Sequence, residues 1–136
     1  MATWFVIAIY VALMTLPAGQ KQFTLIQPGA KKTLVFTQQT NGAWACASQG
    51  KVAFGVMVDG AEVKIAAGDD LRSFDMTGML DLPATVDWTK IEKLPLKGEG
   101  TGGPLLIRRD GNLIVLSQEQ PGILKKPVEI QWEKQP

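Results

Sequence analysis

"VAFGVMVDGAEVKIAA", residues 52–67, decides the fold class. Two short runs rich in apolar, β-branched residues meet at Asp59-Gly60. Asp-Gly supplies the positive φ angles of a two-residue turn, so the pair reads as two strands of a β-hairpin. The same device recurs at Asp110-Gly111, between "PLLIRR" and "NLIVLS". "QFTLIQPG" alternates and breaks at Pro28-Gly29. "KKTLVFTQ" follows, with Leu34 and Phe36 on one face, and Asn41-Gly42 turns the chain into "AWACAS". Turn residues keep interrupting runs of four to seven, and sustained 3.6-residue periodicity is absent. The pattern predicts an all-β domain of roughly eight to ten short strands. A short helical turn is expected only within residues 68–81, "GDDLRSFDMTGMLD".

A chain of 136 residues fits one domain, and a 46% apolar content is enough to bury a core without metals or disulfides. Two architectures compete. "FTLIQPGAKKTLVFTQQTNGAWACA" resembles the Ig-like and Fn3-like class of β-sandwiches in general cadence, although Cys46 has no second cysteine to pair with. Residues 73–90 and 117–134 align without a gap: Ser73, Gly78, Leu80, Pro83, Trp88 and Lys90 meet Ser117, Gly122, Leu124, Pro127, Trp132 and Lys134. Trp44 lies the same 44 residues before Trp88, a spacing that would suit a β-trefoil. The sandwich is preferred, because shared turn chemistry alone places Gly and Pro before two strands.

Residues 1–19 stand apart from the all-β stretch 20–136. No charge appears before Lys21, and the apolar run at residues 4–16 would span about 20 Å as a helix, short of a hydrocarbon core of about 30 Å. Three readings fit. The run is the right length for a signal peptide cleaved near Ala18, which would take the domain out of the cytoplasm. Its Val, Ile and Tyr residues suit a buried first strand. It could also anchor the protein peripherally at a membrane.

The chain has no histidine. That excludes Ser-His and Cys-His nucleophiles, histidine metal sites and the usual base near neutral pH. Single Cys46 allows neither an internal disulfide nor a thiolate cluster, and its surroundings mark it as a buried hydrophobe. A net charge of +1, with no basic run longer than the pairs Lys31-Lys32, Arg108-Arg109 and Lys125-Lys126, argues against nucleic acid as a partner. No cofactor or metal is expected.

"GEGTGGPLLIRRDGNLIVLS", residues 98–117, resembles the nucleophile stretch of trypsin-like proteases, but Thr101 stands where the serine belongs and Gly100 where an acid is expected. Without an imidazole the triad cannot be completed. "RRDGNLIVL" resembles the sugar-binding hairpin of mannose-binding bulb lectins, with Asp110 and Asn112 at matching positions and Arg108, Ile114 and Leu116 departing from the pattern. Together with a stacking platform of Trp44, Trp88 and Trp132, each read as lying in an alternating strand, this gives a carbohydrate-binding alternative. Loop aspartates Asp69, Asp70, Asp75 and Asp81 are the residues a carboxylate-dependent hydrolase or a Ca²⁺ site would use. The reading preferred over both is a non-enzymatic structural or accessory subunit of an extracytoplasmic or surface assembly, acting through a protein partner or self-assembly.

Overall fold

The computed structural model describes residues 3–26, 33–48, 51–67, 70–81, 85–97, 102–124 and 126–133. One helix, α1 (Thr3–Thr15), precedes ten strands: β1 (Gln22–Ile26), β2 (Thr33–Gln38), β3 (Trp44–Ser48), β4 (Lys51–Asp59), β5 (Glu62–Ala67), β6 (Asp70–Asp75), β7 (Lys93–Leu94), β8 (Leu105–Asp110), β9 (Leu113–Gln118) and β10 (Val128–Trp132). The strands form a single antiparallel sheet in the order β6-β5-β4-β3-β2-β1-β10-β9-β8-β7. Every neighbour follows its predecessor in the chain except β1 and β10, where Phe23 opposes Trp132 and Leu25 opposes Ile130. The all-β class is as expected; the finer type, sandwich or trefoil, is left open by one unbroken ladder.

The predicted hairpins form where Asp-Gly placed them. Gly60 and Gly111 both take left-handed φ angles, 62° and 64°, that only glycine adopts without strain. At the Asn41 turn the side-chain Oδ1 accepts from the Ala43 amide at 3.0 Å. The turn of helix expected in residues 68–81 is a 3-10 turn, Met76–Gly78, following β6.

The apolar start is a helix, which corrects the buried-strand reading. Val6 through Ala12 are each 4% exposed or less, and they cover two full turns and so every side of the helix. β-branched content favoured a strand, but an unbroken apolar run has no periodicity to distinguish the two, and the burial supplied by the sheet overrides the weak propensity term. No helix among the described residues is long and apolar enough to cross a membrane. The helix ends before Pro17, which has no amide to continue it. Thr15 Oγ1 bonds back to the Val11 carbonyl at 2.6 Å, and buried Gln20 donates Nε2 to the Glu133 carbonyl at 2.9 Å, tying the helix exit to the end of β10.

Helix and sheet share one core. Strands about 4.8 Å apart would make a flat ten-stranded sheet over 40 Å wide, whereas a helix with its side chains is about 10–12 Å across. One helix cannot cover such a sheet, and a flat sheet cannot bury a helix on all sides. The sheet therefore curls round α1. Phe23, Leu25, Phe36, Val56, Val63, Ile65, Ile107, Ile114, Leu116 and Ile130 line its concave face. An irregularity between Cys46 and Ala47 in the β3–β4 register adds local bend.

Aromatic rings join the layers. Phe5 of α1 meets Phe54 edge-on at 5.3 Å, Phe54 meets Phe36 at 5.6 Å, and Phe36 stacks on Phe23 at 4.8 Å. On the far side Tyr10 meets Trp88 at 5.8 Å. Trp88 belongs to the connection between β6 and β7, whose residues 79–81 pair with residues 95–97 just after β7. Leu80 bridges Leu96, the Asp81 amide bonds the Pro95 carbonyl at 2.8 Å, and Met76, Leu80 and Leu94 are fully buried.

Each fully buried Val, Ile or Tyr side chain contributes about 1.5–3 kcal/mol, so the helix carries an amount comparable with the whole stability of a small domain. Ile9→Ala is expected to destabilise the protein by about 2–5 kcal/mol in urea unfolding followed by tryptophan fluorescence. Glu119→Ala, on the exposed surface, is expected to change it by less than about 0.5 kcal/mol.

Candidate functional site

The five residues that sequence singled out do not form one site. Trp44 is buried, 5.2 Å from Phe23, in the aromatic chain. It borders a cleft of about 600 Å³ at the exit of α1, shared with Leu13, Met14, Gln38, Met57 and Val58. Trp88 is not in a strand, correcting its expected place. It lies in a turn stabilised by bonds from the Lys90 and Ile91 amides to the Asp87 carbonyl, both 3.0 Å. The two aligned stretches accordingly differ at their tryptophans, for Trp132 closes strand β10 while its counterpart Trp88 lies in a turn.

Asn112 and Trp132 do meet. Asn112 Nδ2 donates to the Trp132 carbonyl, and both border a shallow cleft of about 220 Å³ with Gln22, Thr24, Gln131 and Glu133. Asp110 is exposed at the corner of the β8–β9 hairpin. Of the basic pair, Arg109 is used internally: its guanidinium donates to the carbonyls of Ile91, at 2.7 Å, and Trp88. That fastens the segment before β7 to β8. Arg108 is exposed.

Two of the loop carboxylates, Asp70 and Asp75, are too far apart to act as a pair. Asp70 and Asp75 stand at opposite ends of β6, about 17 Å apart at the rise of a strand. Glycosidase-type pairs need about 5–9.5 Å. Asp70 Oδ2 accepts from Arg72 Nε at 3.1 Å. Asp75 caps the 3-10 turn, accepting from the Thr77 hydroxyl at 2.6 Å and its amide at 3.0 Å. Asp87 repeats the motif with Thr89, at 2.6 and 3.1 Å. Among the described residues no group of three His, Cys, Asp or Glu is placed to hold a metal. Asp69, Gly100 and Thr101 lie outside the described residues. Cys46 is fully buried, and burial pushes its thiol up from the usual range, away from the reactive thiolate.

Sequence reasoning missed the feature that stands out on the surface. β6 ends the sheet, and among the described residues no strand pairs with its outer side. Five of its six residues are exposed. Leu71 is 65% exposed, on the convex face, where its register neighbours are Ala66, Gly55 and Ala45. That row of small residues leaves the leucine uncovered. Arg72 and Asp70 point to the concave face with Ile65, bordering a cleft of about 340 Å³. "DLRSFD" gave no such signal, since it alternates too poorly to be read as a strand.

Comparison of the chain with protein-family models, with curated proteins and with solved structures finds no match.

The hydroxyl and amide of Thr77 hold the Asp75 carboxyl below its ordinary range, with the Lys97 charge adding to the effect; Thr89 and then Arg109 do the same for Asp87. A carboxyl lowered in the folded state adds stability that is complete above about pH 4 and is lost as pH falls through the lowered value. The double variant Asp75→Asn/Asp87→Asn is therefore expected to show a shallower fall in Tm between about pH 4 and pH 2 than the parent protein. An unchanged slope would mean that these caps do not couple to folding.

Proposed function

We propose that this protein is a non-enzymatic accessory or structural subunit that acts by protein–protein contact, with the outer edge of β6 as its contact surface. The observation that carries the reading is Leu71, a large apolar side chain 65% exposed on a strand whose outer side has no partner among the described residues. An open edge offers a row of amides and carbonyls to an incoming extended segment. Main-chain bonds then supply affinity and the exposed side chains supply selectivity. The absence of histidine, the separation of Asp70 from Asp75 and the burial of Cys46 support the non-enzymatic half. In this reading residues 3–15 stay in the working protein as its core, and are neither a leader removed near Ala18 nor a surface anchor.

A carbohydrate-binding module is the second reading. It is favoured by the cleft at Asn112 and Trp132, where amides, a hydroxyl and a carboxylate surround a half-buried indole. Under it, a glycan panel shifts the tryptophan emission of the parent protein and not that of Trp132→Ala; no response to any glycan removes it.

For the preferred reading, the tagged full-length protein isolated from its native source is expected to travel in an assembly larger than its own 14.8 kDa. Leu71→Lys, which places a solvated charge on the edge and leaves the core intact, is expected to travel alone with an unchanged Tm. An assembly that survives Leu71→Lys would overturn the edge as the contact surface.

A further inference from the structure

We infer that the segment completing the β6 edge is β6 of a second copy, paired antiparallel about Leu71. This rests on β6 being the contact edge, and adds the partner and the register.

Symmetry and charge select the register. A two-fold axis perpendicular to the sheet pairs one residue with its own copy and sets the flanking residues opposite each other in mirror order. Convex faces then run on across the junction, and opposed side chains share a face. Centred on Leu71, the register sets Leu71 against Leu71 of the second copy on the convex face. On the concave face it sets Asp70 against Arg72 twice, once on each side of the axis. Centred on Arg72, it would set two guanidinium groups against each other. Centred on Ser73, it would set Leu71 against Asp75. Centred on Phe74, it would leave Leu71 outside the paired strands. Only the first register matches apolar to apolar and opposite charges to each other.

The same strand accounts for why such an edge does not pair with everything. Charges pointing to the concave face are a common way of blunting an edge strand. Here Arg72 and Asp70 already bond within one strand at 3.1 Å, both about 60% exposed. A foreign apolar strand would have to bury this charged pair and offer it no further partner. A second copy presents the complementary pair. The contact is short and belongs to the small end of protein interfaces, so association is weak and concentration-dependent.

Cys46 is the protein's single cysteine and is fully buried, so an introduced cysteine is the one accessible thiol. In Leu71→Cys the facing Cα atoms would be about 4.5–5.5 Å apart, within disulfide reach of about 6.8 Å. In Ser73→Cys, on the same face, they would be about 13 Å apart along the strand, beyond it. Mild oxidation of the full chain is expected to convert Leu71→Cys to a disulfide dimer and to leave Ser73→Cys monomeric. In sedimentation, Asp70→Arg is expected to abolish the rise in mass with concentration, and the reversed pair Asp70→Arg/Arg72→Asp to restore it. A monomeric Leu71→Cys, equal cross-linking of both variants, or failure of the reversed pair to restore association would overturn the self-pairing. If Leu71→Lys still strips the native assembly when Leu71→Cys does not cross-link, the edge takes a different chain and only the self-pairing falls. If neither variant has an effect, the contact-edge reading falls with it.

Discussion

A helix that is apolar on every side has to be surrounded. α1 has no charged residue and no polar face, and Val6 through Ala12 are buried whichever way they point. A ten-stranded sheet has the opposite problem, because its apolar face is far wider than one helix can cover. The two solve each other only if the sheet curls. The rest of the architecture follows: a single ladder running unbroken from β6 to β7, a register irregularity in β3–β4 where the bend is taken up, and a connection whose Leu80 bridges Leu96 beside β7 and whose Trp88 meets Tyr10 of the helix. The hydrophobic effect has no direction, so edge-on ring contacts such as Phe5–Phe54 and Tyr10–Trp88 give the helix its position inside the sleeve.

The strand half of this was legible in the residues, because strand signals are local. Asp59-Gly60, Asp110-Gly111 and Asn41-Gly42 each dictate a turn from two neighbouring residues, and the runs they separate had little choice but to pair. Leu34 and Phe36 fell on the inner face as alternation required, and Cys46 is buried as its small, apolar surroundings implied. What was not legible depended on partners distant in the chain. α1 could not be told from a strand because every position is apolar. Trp88 sits in a turn because Asp87 and Arg109 hold it there, and the matching sequence around Trp132, lacking an Asp-x-Thr at that point, forms a strand instead. β6 was hidden for the reverse reason: as an exposed edge it has few buried positions to alternate.

The same division runs through the candidate site. Asn112 and Trp132 were named for sugar recognition and come together, but Asn112 spends its amide on the Trp132 carbonyl, joining the hairpin corner to β10. Arg109, Asp75 and Asp87, which look like chemistry in a sequence, are fastenings: each satisfies backbone groups where the chain leaves the regular ladder. Polar groups in the described core are all bonded, leaving none aimed into an empty space. Among the described residues the outer side of β6 has no paired strand, and Leu71 is the most exposed large apolar side chain.

The account depends on the helix being a permanent part of the protein, and the intact mass of the chain purified from its native source tests this most directly. The helix as core predicts a protein that retains residues 3–15. A protein beginning near Gly19 or Gln20 would contradict it, because the curled sheet would then have to be filled by something other than its own first helix.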